Sequence, residues 1–381
     1  MKDTRTNRII ALICRIVVGC VFVFSGFVKG VDPMGTAYKI EEYMTVWSVG
    51  GLSFEWAVPL AALLSVLLVT LEFTVGVLLI TGAWRKFTAW TLLLMVVFFT
   101  ITTFVDALTN KVSDCGCFGD AIKLTNWQTF WKNVVLLVLT VVIFLCRKHA
   151  RRKHFERDTL ITLVAVAAMV LFALHNIKNE PCIDFRPWKV GNRMIPEGND
   201  LQVQSFVTYR EKTTGQTVEM PSAELMTYYA DSSWREAWEF VDSRVVNPYE
   251  IQASGFCMIG PDGEDYSLNI VNSPSYVLIA TVHHLDKLDE QGTVALRRTH
   301  TFCVDHGVNM VLLTSAAPEE IQAYLHDAQL DEMIYYFADA TAIKTMLRSN
   351  PGFILIKDAV VEGKWSVANY LAIQEFPFQE E

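Results

Sequence analysis

Residues 57–81 read AVPLAALLSVLLVTLEFTVGVLLIT, an apolar run with one charge, Glu72. A helix needs roughly 20 predominantly apolar residues to cross a bilayer, so this stretch is long enough to span one. Four similar runs surround it: Ile9–Val28, Phe87–Val105, about Phe130–Cys146 and Thr159–His175. Such runs also occur as interior helices of large soluble proteins. Five of them within the first 180 residues leave too little polar sequence to enclose them. The expectation is a bundle of five membrane-spanning helices.

Charge divides the chain in the same place. Residues 1–180 hold 18 Lys and Arg against 12 Asp and Glu, whereas residues 181–381 hold 14 against 29. A basic, apolar first half joined to an acidic, ordinary second half reads as a membrane domain followed by a water-soluble one. The acidity of that second half argues against a nucleic-acid partner, whose phosphates demand basic patches. The first apolar stretch has no A-x-A-like end and is followed by further spans, so it reads as a span and not as a cleaved signal peptide. Lys2, Arg5 and Arg8, then Arg85 and Lys86, then the cluster from Arg147 to Arg157 fall on one side of the bundle. Basic residues near helix ends stay cytoplasmic. This predicts a multi-pass protein of the cell (inner) membrane, with a cytoplasmic N-terminus and with segments 29–56, 106–129 and everything after His175 outside.

Within segment 29–56, Tyr38, Ile40, Tyr43, Met44, Val46 and Trp47 are interspersed with Lys39, Glu41 and Glu42. That pattern suits a helix lying in the interface, or an ordered loop capping the bundle. Past Cys182, a hairpin is expected over 202–210 and 216–220, and one or two helices over 223–242. From Ser275 the elements alternate. Strands at 276–282, 309–315 and 333–337 are separated by helices at 287–306 and 318–328, and a helix follows at 340–349. A strand pair at 352–357 and 360–365 and a short helix at 367–372 close the chain.

The sharpest local motif is Asp114-Cys115-Gly116-Cys117-Phe118-Gly119-Asp120, in the outward segment between the third and fourth spans. Thiols on that side face an oxidising compartment. Two cysteines one glycine apart can bridge only through a small ring, and strain makes such a bond easier to reduce. Gly116 supplies the backbone freedom a tight ring needs. A redox-active dithiol, an inert structural disulfide and a metal or cluster site all compete. The last is weakened because zinc usually takes four ligands and no His or second Cys pair lies nearby, and no metal is expected.

The first 150 residues resemble the DoxX/MauE group of small four-helix membrane proteins. The likeness rests on Arg15 through Lys29 (RIVVGCVFVFSGFVK), on Leu71-Glu72 through Gly76 to Gly82, and on CGCFG at 115–119 followed by Trp127 and Lys132-Asn133. The CGCFG segment is similar to that of the methylamine-utilisation protein MauE, where Lys132 is more often Arg. The resemblance implies a role in extracytoplasmic maturation of other proteins, disulfide formation included, and a bundle similar to quinone-linked thiol oxidases. The family name also points to methylamine metabolism, though no residue here points to methylamine itself.

Two charges lie well inside the spans. At ~1.5 Å per residue, Arg15 sits about 9 Å from the cytoplasmic end of its helix and Glu72 about 13 Å from the same face. Similar depths suggest an Arg15–Glu72 ion pair, since a lone Arg there costs ~2.5–3.5 kcal/mol on insertion scales. Such a pair locks two helices in register, or it contacts a proton or a quinone headgroup. Lys29 is expected to reach the interface as lysines near helix ends do. Arg15, Lys29 and Glu72 are thus candidate cofactor contacts, a quinone being the candidate cofactor.

From Ser275 the element order resembles a thioredoxin fold, with Pro351 matching the usually cis proline of that family. Where Cys-x-x-Cys would follow the first strand, the chain reads His283-His284-Leu285-Asp286, so thiol exchange cannot occur there. Of the other cysteines, Cys14, Cys20 and Cys146 lie in spans; Cys182, Cys257 and Cys303 lie outside, where Cys182 is the nearest exchange partner for Cys115/Cys117 in chain order.

The sequence therefore predicts a DoxX/MauE-like four-helix domain (1–155), a fifth spanning helix (156–178), an extracytoplasmic α+β region (179–274) and a thioredoxin-like domain (275–381). The expected function is support of extracytoplasmic thiol–disulfide chemistry, possible oxidoreductase activity included. Cys115 and Cys117 would be the catalytic pair, and the partners a client protein or thiol partner and the lipid bilayer. The alternative is a non-enzymatic membrane-anchored assembly module with a structural disulfide. A transporter fits poorly, for want of an even helix repeat and of buried charge.

Overall fold

The computed structural model describes residues 5–46, 48–49, 52–110, 112, 116, 118–119, 121–122, 124–146, 154–196, 204–222, 224–225, 228, 232–246, 251, 253 and 256–378. Two compact units emerge. The first comprises residues 1–186 with the later segments 347–352 and 365–375; the second comprises 187–346, 353–364 and 376–381.

Six helices build the first unit: α1 (Arg5–Val31), α2 (Pro33–Val46), α3 (Ala61–Thr81), α4 (Arg85–Thr109), α5 (Asn126–Cys146) and α6 (Phe155–Lys178). All but α2 are long and apolar enough to cross a membrane. Their outer faces are inverted relative to a soluble protein: Leu63, Leu67, Phe98, Ile101, Leu163 and Leu171 are exposed. That pattern suits acyl chains as the solvent and rules out interior helices of a soluble core. The inner faces meet around Val18, Phe22, Val75, Leu92 and Val96.

Small residues let α1 and α3 come close. A Cβ built on Gly26 would lie 2.7 Å from the Phe73 backbone N, and one on Gly76 would lie 2.6 Å from the Val23 backbone N. Only glycine permits that approach, the usual device by which membrane helices gain packing contact. Asn176 of α6 donates to the Gly30 carbonyl at 2.9 Å and ties the fifth span to α1. Within segment 29–56 the chain forms the helix α2, which favours the helical reading over a loop; Trp47 lies outside the described residues.

Arg186, in the segment that follows α6, is almost fully buried. It bonds Asp184 at 2.7 Å and Glu180 at 2.9 Å. Arg348, also in this unit, holds Asp32 at 2.6 Å at the α1–α2 junction. Burial opposes ionisation of Asp32, but the charge and hydrogen bonds of Arg348, aided by Arg186 and the Gly35 N–H, hold its carboxyl below the ordinary value.

The second unit opens with a three-stranded antiparallel sheet, β1 (Gln204–Glu211) lying between β2 (Thr217–Pro221) and β3 (Trp238–Val246). The hairpin is where expected. The helices expected over 223–242 reduce to α7 (Ser232–Ala237), and from Trp238 the chain is strand. The reason lies in packing. Trp234 and Trp238 cover a small core of Val207, Tyr209 and Met220, which a strand paired to β1 reaches and a continued helix would not.

After α8 (Ser267–Val271) come β4 (Val277–Val282), α9 (Glu290–Asp305), β5 (Asn309–Thr314), α10 (Pro318–Asp327), β6 (Ile334–Phe337) and α11 (Ala340–Met346), then β7 (Gly352–Lys357) and β8 (Val360–Ser366). The five strands are ordered β8-β7-β4-β5-β6, with β4, β5 and β6 parallel. This is a thioredoxin-like arrangement in which β6 forms one edge. β4 is buried along its whole length, as a central parallel strand must be. The Asn350–Pro351 peptide is cis. The short helix expected over 367–372 is a 3₁₀ turn at Tyr370–Glu375.

Candidate functional site

The first unit encloses a cavity of about 480 Å³. Ligand pockets commonly fall between about 300 and 1,000 Å³. Its walls come from all of the first five helices and from the segment between α4 and α5, and they are mainly apolar, with Phe22, Phe98, Phe99 and Phe118 presenting aromatic surface.

A buried ion pair stands in this cavity. Lys29 Nζ lies 2.8 Å from Glu72 Oε1 and 3.0 Å from Oε2, and Ser25 Oγ donates to Oε2 at 3.1 Å. Both side chains are nearly inaccessible, at 7% and 3% exposure. The expected Arg15–Glu72 pair does not form. Helical side chains lean toward their own N-terminus. On the antiparallel α1 and α3 this brings Lys29 back down its helix and Glu72 up to meet it. Lys29 therefore does not reach an interface. Arg15 instead donates through Nε and Nη2 to the Leu79 carbonyl at 3.1 and 2.6 Å, where the last turn of α3 leaves carbonyls unpaired. Of the three candidate contacts, Lys29 and Glu72 line the cavity, and Arg15 caps a helix end.

A second polar pair borders the same cavity. Tyr43, on the cavity wall, donates to Asp106 Oδ2 at 2.5 Å, and Asp106 is buried with its Oδ1 unbonded among the described residues. Sequence reasoning missed this pair because Tyr43 looked like an interfacial aromatic and Asp106 fell one residue past the apolar run ending at Val105. Lys132 stands where the MauE segment more often has Arg, and its Nζ sits 4.3 Å from the centre of the Phe118 ring. The face of an aromatic ring attracts a cation.

Cys115 and Cys117 lie outside the described residues. Their neighbours do not: Gly116 and Phe118 line the cavity. Gly116 has φ +59°, in the left-handed region that favours glycine, and its carbonyl accepts from the Gly119 N–H at 3.0 Å. Lys39 packs against it, since a Cβ added there would lie 3.3 Å from Lys39 Cγ.

The other six cysteines form no disulfide. Cys182 is exposed and Cys303 is buried, burial pushing the latter's thiol up to about 12. In the second unit, His283 and His284 follow β4 where a thioredoxin places its thiols, with ring centres 5.2 Å apart. His283 is buried; burial, then Lys344 and Lys287, hold His284 below its ordinary value. Among the described residues, no three His, Cys, Asp or Glu side chains gather as a metal site would require.

Residues 7–146 match the family described as methylamine utilisation protein MauE. The MauE-like segment thus contains α1–α5 almost entire, with the cavity and the Cys115–Cys117 segment inside it. The chain is a multi-pass membrane protein. It is 26% identical over 163 residues to Protein TlpB of Flavobacterium psychrophilum, an alignment covering 42% of this chain and 43% of that relative. It therefore spans less than half of the relative's length. Among solved structures it is similar to the thioredoxin domain of a thiol-disulfide oxidoreductase from Bacteroides vulgatus. That alignment has 16% identity and a TM-score of 0.26, and covers 32% of this chain and 93% of the other.

Proposed function

We propose that this protein supports thiol–disulfide chemistry outside the cytoplasm, with Cys115 and Cys117 as the exchanging pair. The observation that carries this reading is the placement of Gly116 and Phe118 on the wall of an apolar cavity holding a buried ion pair. A purely structural bridge has no need of such a cavity beside it. The positive-inside bias supports an inner-membrane protein whose N-terminus is cytoplasmic and whose second unit lies outside. That unit has imidazoles where a thioredoxin has thiols, which suits binding and positioning a client or thiol partner, not exchange by the unit itself.

Trapping in cells tests this. With Cys117→Ser or Cys115→Ser, one variant is expected to accumulate a mixed disulfide that dithiothreitol releases, and the double variant none. The wild-type pair should titrate above about −300 mV. A lower potential with no trapped partner would mark a structural bridge, and the protein would then be a membrane-anchored assembly module.

A further inference from the structure

We infer that the open side of β6, with the cleft beside it, docks an extended client segment that carries a Lys or Arg side chain. That the partner is a client rests on the reading above; the edge and the cleft belong to the second unit alone.

β6 pairs with β5 on one side. On its other side Phe337 and Ile259 exchange two backbone hydrogen bonds, at 2.8 and 2.9 Å. Continued antiparallel, that register would bring Pro261 opposite Tyr335. Proline has no N–H to give, and the chain turns away there, the Gly260 N–H donating to the Glu264 carbonyl at 2.8 Å. Strand alternation aims the Tyr335 N–H and carbonyl to the same side as those of Phe337. Among the described residues neither has a backbone partner. Edges that are not meant to pair carry charges or proline. β6 reads Ile-Tyr-Tyr-Phe, and Ile334 is 58% exposed. The protein thus begins a further strand at Ile259 and leaves the next place in the ladder open.

The cleft next to that place selects a side chain. Its volume is about 250 Å³, room for one long side chain and less than most ligand pockets offer. Pro261, Tyr266, Ile334 and Tyr336 line it together with Asp262, the one charged residue of the lining. The Tyr266 and Tyr336 ring centres lie 5.3 Å apart. Tyr266 Oη donates to Asp262 Oδ2 at 2.6 Å, and the Glu264 N–H donates to Oδ1 at 3.1 Å. Each bond uses one lone pair, and a carboxylate oxygen has two. Asp262 can therefore meet a cation while keeping both partners, and aromatic faces attract the same cation. In an added strand the residue opposite Tyr335 exchanges the backbone bonds. The side chain of its neighbour falls on the other face, that of Ile334 and Tyr336. A long basic side chain fits there; an acidic one would face Asp262.

Fluorescence anisotropy with the full chain in nanodiscs of zwitterionic lipid, corrected with empty discs, tests this. The probes are dye-labelled Thr-Val-Lys-Val-Thr, its Lys-to-Glu counterpart, and the Lys peptide N-methylated at both valines. The Lys peptide should bind saturably. The Glu peptide should bind about ten-fold more weakly, as should the N-methylated one, which cannot donate to the Tyr335 carbonyl. Asp262→Asn should weaken the Lys peptide about three-fold and shrink its advantage over the Glu peptide. Tyr335→Pro removes the outward N–H at an edge position where proline is tolerated, and should weaken the Lys peptide as N-methylation does. No saturable binding of the Lys peptide, or binding indifferent to N-methylation or to Asp262→Asn, overturns the inference. Should that result stand beside a trapped mixed disulfide in cells, the exchange reading survives it. Docking that meets these expectations with no disulfide ever trapped would remove exchange and leave the edge standing.

Discussion

The two units handle charge in opposite ways. Inside the bundle, Glu72 is enclosed with three hydrogen bonds from Lys29 and Ser25. In the second unit, His326 and Asp331 meet at 2.9 Å, with 79% and 61% of their side chains exposed. Between these extremes stands Asp32 with Arg348, at 20% and 13%. The distance across each pair is nearly the same, so distance does not rank them. Solvent does: water competes for the exposed pair and is excluded from the enclosed one.

The comparison predicts its own gradient. Glu72→Ala strands the Lys29 ammonium in an apolar cavity and should cost about 3–5 kcal/mol, read as thermal unfolding in detergent. Lys29→Met/Glu72→Leu should recover most of that loss; a double variant as unstable as the single would break the comparison at its buried end. Arg348→Ala should cost about 1.5–3 kcal/mol at neutral pH, the range for hydrogen bonds to a charged group. The Asp32 carboxyl is held below its ordinary value, about 3.9 in an unfolded chain. Its contribution is therefore complete above that value and is lost as the pH falls through the folded-state value. The gap between wild type and Arg348→Ala should close on acidification, and a gap independent of pH would assign the effect to packing.

The smallest effect belongs to the exposed pair. The hydrogen bond and charge of Asp331 hold the His326 imidazole above its ordinary value. Any stability it lends is present below the unfolded value and fades as pH rises through the folded one, screened throughout by water. By NMR, His326 should titrate above about 6.5 and return toward it in Asp331→Asn, with unfolding unchanged. A measurable loss of stability would sharpen the comparison by showing that exposure alone does not cancel a pair.

What could be read in advance follows the same physics. Apolar runs and basic clusters are one-dimensional signals, and the five spans lie close to where they were expected: four extend beyond their apolar stretches, and α3 begins four residues inside its own. The alternating elements after Ser275 were equally readable, because β4 and β5 are built on the apolar runs Val277–Ala280 and Met310–Leu313. Partners across helices were not. The Arg15–Glu72 pairing assumed that depth alone selects a partner, whereas the Gly26 and Gly76 contacts set the α1–α3 register and side-chain lean selects Lys29. Tyr43 with Asp106 needed α2 folded back onto α4, which no local pattern encodes. Trp238 opened a strand because tertiary pairing with β1 outweighed a helical local pattern.

The Lys29–Glu72 contact also bears on how the chain is made. Its partners lie 43 residues apart, so Lys29 is synthesised before its counter-ion. Glu72 arriving by itself would face the same insertion penalty that keeps acidic side chains rare at bilayer depth. Co-translational integration is thus expected to be a paired event, each of the two helices becoming fully at home in lipid once they dock through the glycine seam and the two charges meet.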